Sequence, residues 1–226
     1  MDFQSFEALA LEMWEGIPAR YREGVEALIL SPEARFDPEF PDVPLMGFCE
    51  GSPITSQVPE APLQTMISVY HGSFVEVASQ EEAFDWEGEL WETLTHELLH
   101  HLEWRAGYDA LGLEDDLQRE NLARRAGGEF ARWFHRQGAA LEPGVWSLDG
   151  DLFVEVPVAR KAWRGLAGQA VEASAQGVRF CAAAPSVEAL REEILYLVAE
   201  PASEEALPWD EVVLVVWRKP WWSFWG

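Results

Sequence analysis

Basic side chains are scarce in this sequence of 226 residues: 16 Lys and Arg stand against 40 Asp and Glu, a formal charge of -24. A deficit of that size argues against a nucleic-acid partner and against an anionic membrane surface, because either needs a basic face. Polypeptides that are neutral or basic suit it better. Cysteine is almost missing too. Cys49 and Cys181 stand far apart without CxxC spacing, which excludes a disulfide framework and a cysteine-built zinc site and leaves two thiols in a reducing compartment. No apolar run approaches the roughly 18 residues of a membrane span. The opening MDFQSFEALALEMWEG has acids where a signal peptide carries positive charge. The expected location is therefore the cytoplasm, without a membrane partner. Asn121 is the only asparagine and Arg is strongly preferred to Lys, a weak pointer to a hot or GC-rich source. What is abundant is apolar surface, 48% of residues, enough for one large or two small folded domains.

The most informative stretch is WETLTHELLHHLEWRAG, residues 91–107, with His96, Glu97 and His100 in the order H-E-x-x-H. On a helix, residues four apart rise by about 6 Å and turn by about 40°, so both imidazoles reach one metal ion. Glu97 projects about 100° around from the first histidine, toward the edge of such a site, where it can take a proton from a water activated by the ion. The pattern reads as zinc hydrolysis. The competing reading is a solvated polar face that happens to carry two histidines. Trp91, Leu94, Leu98 and Leu102 weigh against it, because they recur at helical spacing and would hold the histidines outward from a core.

Along the chain, Phe3, Phe6, Leu9, Ala10, Met13 and Trp14 predict an amphipathic helix closed by Gly16 and Pro18. A short helix over 19–26 and a buried strand over 27–31 follow. Residues 36–62 are dense in Pro and Gly and read as loops around one apolar piece, 45–49. QTMISVY, 64–70, is the best strand, with His71 and Gly72 as a turn. Ser79 with Glu81 and Glu82 resembles a helix start. The H-E-x-x-H helix should run over 83–106 and stop at Gly107 in a left-handed conformation. A further helix over 114–137 is weakened at Gly127 and Gly128. Gly, Pro and Ser cluster at 138–149 and mark a boundary. Beyond it the pattern alternates, with strands over 151–158, 177–182 and 211–218 and a helix over 187–197. The expected fold is α+β: a domain over 1–138 of helices and a small mixed sheet, then a β-rich domain over 139–226 that could bind peptides.

Residues 2–120 resemble the minimal zincin-like metallopeptidases of bacteria. The resemblance rests on the opening FQSFEALALEMWEGIPARYREGVEALIL, then LMGFCEG, ISVYHG and THELLHH, in that order. It implies zinc as cofactor, His96 and His100 as its ligands and Glu97 as general base. It also implies that the strand before the active helix, 67–70, runs along the cleft edge and pairs with an extended substrate. The third ligand departs from the family pattern. Relatives turn at a glycine just after the second histidine and place an Asp three residues later, where this chain has Glu103 and Ala106. Past that insertion, LGLEDDL, 111–117, resembles the family's turn and offers Asp115, the preferred ligand. Glu120, at the spacing of thermolysin-like enzymes, and Glu103, one turn beyond His100, are the alternatives. For each acid the plain reading is a solvated charge.

His101 points away from the metal face, toward a second-layer hydrogen bond or solvent. His71 and Tyr108 could stabilise an oxyanion but read better as structural. His135 has no partner in sequence. Loosely, GDLFVEVPV, AWRGLAGQAVEA, GVRFCAAAPS and VVLVVWRKP resemble one β-sandwich repeat of the DnaJ-type co-chaperones. The aromatic terminus KPWWSFWG must pack on the protein or form a contact surface such as a homodimer seam. The expected activity is a zinc-dependent metallopeptidase-like hydrolase in which zinc-activated water attacks a peptide carbonyl with Glu97 as base. The alternatives are a non-catalytic metal-containing module that binds polypeptides, as a chaperone does, and a hydrolase of small amides.

Overall fold

A computed structural model describes residues 1–51, 65–81, 83–202 and 207–219 of the chain. Gln64, Glu82 and the aromatic run 220–226, with the packing or dimer seam expected of that run, lie outside the described residues. Two compact units are resolved, Met1–Leu113 and Glu114–Gly226.

In the first unit the order is α1 (Phe3–Gly16), α2 (Ala19–Arg22), β1 (Val25–Ser31), β2 (Arg35–Phe36), β3 (Pro44–Leu45), β4 (Gly47–Glu50), β5 (Thr65–Tyr70), α3 (His71–Ala78) and α4 (Trp86–Ala106). Asp2 caps α1 by accepting from the Ser5 amide. The short helix after it ends at Arg22 and not at residue 26, because Gly24 takes a φ of 96° and the chain enters β1 at once. His71 and Gly72 do not form a turn. They open α3, and Ser79 ends that helix instead of starting the next. The start of α4 is Asp85, whose carboxylate accepts from the Gly88 amide. Glu87 and Glu89 then sit in the first turn against the positive end of the helix dipole.

β1, β5 and β4 form a mixed sheet in that order, β1 parallel and β4 antiparallel to β5. This corrects the expectation for residues 67–70: β5 is the central strand, its hydrogen-bonding edges are taken on both sides, and it has none left for a substrate. Among the described residues β1 and β4 are the two edges. The core between sheet and helices joins Ile67 and Val69 to Phe6 and Ala10 of α1, Phe74 of α3, and Leu90, Leu94 and Leu98 of α4. His71 lies inside this core, its ring against Phe3, Phe6 and Trp86 and its Nε2 bonded to the Met1 carbonyl. Its role is structural.

The boundary between the units falls inside α5 (Ala110–Arg125). The helix expected over 114–137 thus starts earlier and stops earlier. Gly127, at φ 70°, ends it, and the Gly128 amide returns to the Ala123 carbonyl. A 3-10 turn, Phe134–Gln137, precedes β6 (Ala139–Glu142), β7 (Val145–Leu148) and β8 (Asp151–Val158). The short helix α6 (Arg160–Trp163), β9 (Val171–Ala175), β10 (Val178–Ala182), β11 (Ile194–Pro201) and β12 (Val212–Arg218) complete the unit. These strands make one seven-stranded sheet, β6-β7-β8-β12-β11-β10-β9, antiparallel except for β8 with β12. It curls until β9 touches β8. Leu152, Val154, Val212 and Leu214 fill one face, and Phe153, Val213 and Val215 meet Phe134 on the other. Burial on both faces explains the unbroken apolar runs Leu152–Val154 of β8 and Val212–Trp217 of β12.

The helix expected over 187–197 is absent. Only Ala189–Arg191 turn as 3-10, and β11 then begins. Leu195 and Leu197 face one core and Ile194 and Tyr196 the other, so the period there is two. The second unit also holds α5 in place. Asp151, fully buried, accepts from Arg124 at 2.7 Å, Arg125 at 2.6 Å, Asn121 at 2.9 Å and the Glu211 amide at 3.0 Å. Removing one partner from such a network leaves a buried charge exposed to a low dielectric.

His135 sits at the centre of the lower layer. It is fully buried, with Nε2 3.3 Å from Glu155 and Nδ1 3.2 Å from the Tyr196 hydroxyl. The Tyr196 oxygen accepts from the Trp133 amide and so donates to Nδ1, while Nε2–H donates to Glu155. Burial holds the ring neutral and pushes its pKa down to about 4, so Glu155 takes its ionic partner from Arg136 instead. An unfolded histidine binds its proton near pH 6.5. Between about pH 6.5 and 4 the unfolded chain therefore binds more protons, and stability falls as pH falls. The unfolding free energy should drop by up to about 1.4 kcal/mol per pH unit across that window. Urea titrations at several pH values should show this slope, and His135→Gln should flatten it.

Candidate metal centre

The register of α4 sets where its polar residues point. Leu90, Leu94 and Leu98 are buried toward the sheet, which places His96 and His100 around the helix from them. Their ring centroids are 5.0 Å apart with planes 77° from one another. His100 is buried, and Trp104, four residues on, lies 5.8 Å from its ring. His101 is fully buried and not at solvent: Nε2 bonds the Glu23 carbonyl at 3.0 Å and Nδ1 the Thr65 hydroxyl at 2.9 Å. Since a carbonyl only accepts, Nε2 carries the proton and the ring is neutral. Burial lowers its pKa in the same sense. Arg105 donates to the same Glu23 carbonyl at 2.6 Å, so two residues of α4 lock the helix to the start of β1.

Glu97 is buried on the β4 side of the helix. A Cβ added to Gly47 would fall 2.6 Å from its Oε1 and 2.7 Å from Thr93 Cγ2. The carboxylate thus lies flat against the backbone of the edge strand, a position that only a glycine leaves open. Cys49, two residues along β4, has its thiol pushed up to about 12 by burial and then by the Glu97 charge; it is a protonated neighbour.

α4 continues two turns past His100, about 10 Å, to Gly107, which ends it at φ 79°. α5 begins three residues later, and Asp115 lies one and a half turns into it. The outcome is that single ligand atoms from His96, His100 and Asp115 all lie within 4.8 Å of one another. LGLEDDL is therefore helix where a turn was expected, and it still delivers Asp115. The other two acids are engaged elsewhere. Glu103 accepts from the Leu111 amide at 2.8 Å and caps the start of α5, and Glu120 accepts from the Ala131 amide. Tyr108 is 71% exposed on the turn between the helices.

The donor set fits zinc. Two imidazoles and one carboxylate leave a fourth position open, as hydrolytic zinc sites do. Ligand atoms at about 2.0–2.1 Å from a tetrahedral ion stand about 3.3 Å apart, within reach of small side-chain rotations from the present spacing. Sequence reasoning does not single out Gly47 and Thr93 as parts of the site. Thr93 precedes Glu97 by one turn, a usable signal, whereas nothing in LMGFCEG tells which glycine faces the helix. Replacing Gly47 by Ala should cost about 1–3 kcal/mol, measured by urea unfolding. Part of that cost should return in the Gly47→Ala/Glu97→Ala double variant.

Comparison with known proteins bears on this unit. The sequence model of the zincin-like metallopeptidase family matches residues 30–121. The solved structure of a conserved hypothetical protein from Thermo thermophilus is 38% identical, over 47% of this chain and 99% of that one, with a TM-score of 0.40. No curated protein matches. The likeness of the second unit to a co-chaperone repeat is not shown. Among the described residues no helix is long and apolar enough to cross a membrane. The likeness to the zincin-like metallopeptidase family thus lies in residues 30–121, which hold the H-E-x-x-H helix and Asp115.

Proposed function

We propose that the first unit, with α5, is a zinc-dependent hydrolase of peptide bonds in extended polypeptides. His96, His100 and Asp115 hold the ion, and Glu97 is the general base. The observation that carries this reading is the gathering of those three ligand atoms within 4.8 Å, next to a buried Glu97. Bound zinc supplies a Lewis acid that polarises the substrate carbonyl and lowers the pKa of water. Glu97 takes the proton of the attacking water and passes it to the leaving amine, a role that needs its carboxylate held still. The missing side chain of Gly47 leaves the space that this carboxylate occupies. β4, an edge strand among the described residues, runs beside Glu97, and an extended substrate would add to it as a further strand.

Glu97→Gln should lower peptide hydrolysis by about 10²–10⁴-fold while keeping one zinc per chain by elemental analysis. Asp115→Ala should weaken zinc binding by at least about 100-fold, whereas Glu103→Gln and Glu120→Gln should leave it within a few-fold. Full hydrolysis by the Glu97→Gln protein would end the assignment of the base. Zinc affinity that depends on Glu103 or Glu120 and not on Asp115 would end that of the third ligand.

A further inference from the structure

One flank of α4 and the neighbouring end of α2 carry partly exposed apolar side chains, with Arg20 stacked on Tyr21 at the edge. Trp91 is 46% and Leu99 44% exposed, and Tyr21 at the end of α2 is 39% exposed. Together with Ile17 and Leu102 they line a groove of about 540 Å³ whose wall includes His96. A second hollow of about 500 Å³ adjoins it and shares Trp91, but its other walls include Asp85 and Glu87. The two hollows meet at Trp91 and together make a trough beside α4, mostly apolar where His96 lines it and acidic at Asp85 and Glu87. Glu92, exposed on the trough, extends the acidic side.

We propose that this trough is the specificity site of the hydrolase and takes a polypeptide segment with a large apolar side chain beside the scissile bond and a Lys or Arg farther along. The occupant follows from charge complementarity and from continuity with the ligand His96. An apolar wall beside the reaction centre gains by excluding water from an aliphatic or aromatic side chain. The acids at the far end reward a cation, and on a chain of charge -24 they repel acidic segments. The spacing is set by the helix. From Glu87 to His96 is nine residues, about 13 Å along the axis, which an extended peptide covers in about four residues. The register in this inference rests on the reading of the histidine pair as the reaction centre, while the binding itself does not.

The test is fluorescence anisotropy with the full-length, zinc-loaded Glu97→Gln protein, which binds without turnover. The probes are labelled eight-residue peptides with one Leu and one Arg four residues apart, in either order, and the same peptides with Ser for Leu or Asp for Arg. Leu99→Glu should weaken binding of the Leu/Arg peptide by about tenfold or more, since it puts a charge in the apolar wall. Glu87→Gln and Glu92→Gln should each weaken it by about two- to fivefold, an effect that salt removes. The Ser and Asp peptides should bind more weakly to the parent protein. All six peptides binding alike, or Leu99→Glu leaving affinity unchanged, would overturn the proposal. So would a homodimer that Leu99→Glu dissociates without any change in peptide affinity, because the trough would then be a contact between copies of the chain. Selective binding of the Leu/Arg peptide with no cleavage by the parent enzyme would leave the trough standing and remove the hydrolase reading.

Discussion

The buried row Leu90, Leu94 and Leu98 is the constraint on which the rest depends. It fixes the rotation of α4 over the β1-β5-β4 sheet, and every polar residue of the centre takes its direction from that rotation. His101 and Arg105 fix the translation, by closing on the Glu23 carbonyl. With both degrees of freedom set, His96 and His100 emerge on one side and Glu97 on the edge-strand side without any loop to position them. Sites carried on packed helices hold their geometry better than sites carried on loops. The doubly bonded His101 shows how the histidines of HELLHH divide: His96 and His100 lie together on one side of the helix, and His101 anchors another side.

The third carboxylate comes from a different solution to the same geometric demand. α4 overshoots, turns at Gly107 and returns as α5, with the Glu103 carboxylate capping the new helix at its Leu111 amide. The same α5 carries Asp115 near its start and Asn121, Arg124 and Arg125 near its end. Those last three are tied to buried Asp151. Within the second unit those charged hydrogen bonds fasten the C-terminal end of α5 to the sheet.

Much of this was legible in the residues. H-E-x-x-H with leucines at helical spacing told both the helix and its orientation, and Gly107 told where it stops. Asp115 entered as a candidate only through the likeness to the family, since three acids compete at plausible spacings in the sequence, and in the fold it is the one whose carboxylate is grouped with His96 and His100. Other errors share one physical origin, contacts distant in sequence. β5 looks the same whether it is central or at an edge, because its side chains alternate identically in both cases, and pairing partners decide. The 187–197 stretch reads as helix from local composition, yet Leu195 and Tyr196 belong to opposite cores that only the sheet creates. His135 had no visible partner because Glu155 and Tyr196 come from strands that meet it only in the fold.

The central claim, that two imidazoles and the Asp115 carboxylate form one zinc site, is tested most directly by the zinc absorption-edge spectrum of protein loaded with one equivalent of the ion. The account predicts a shell of nitrogen and oxygen alone at about 2.0–2.1 Å, with the outer scattering of two imidazoles. A sulfur neighbour at about 2.3 Å, which would bring in Cys49 or Cys181, or a spectrum of fully hydrated zinc, would contradict it.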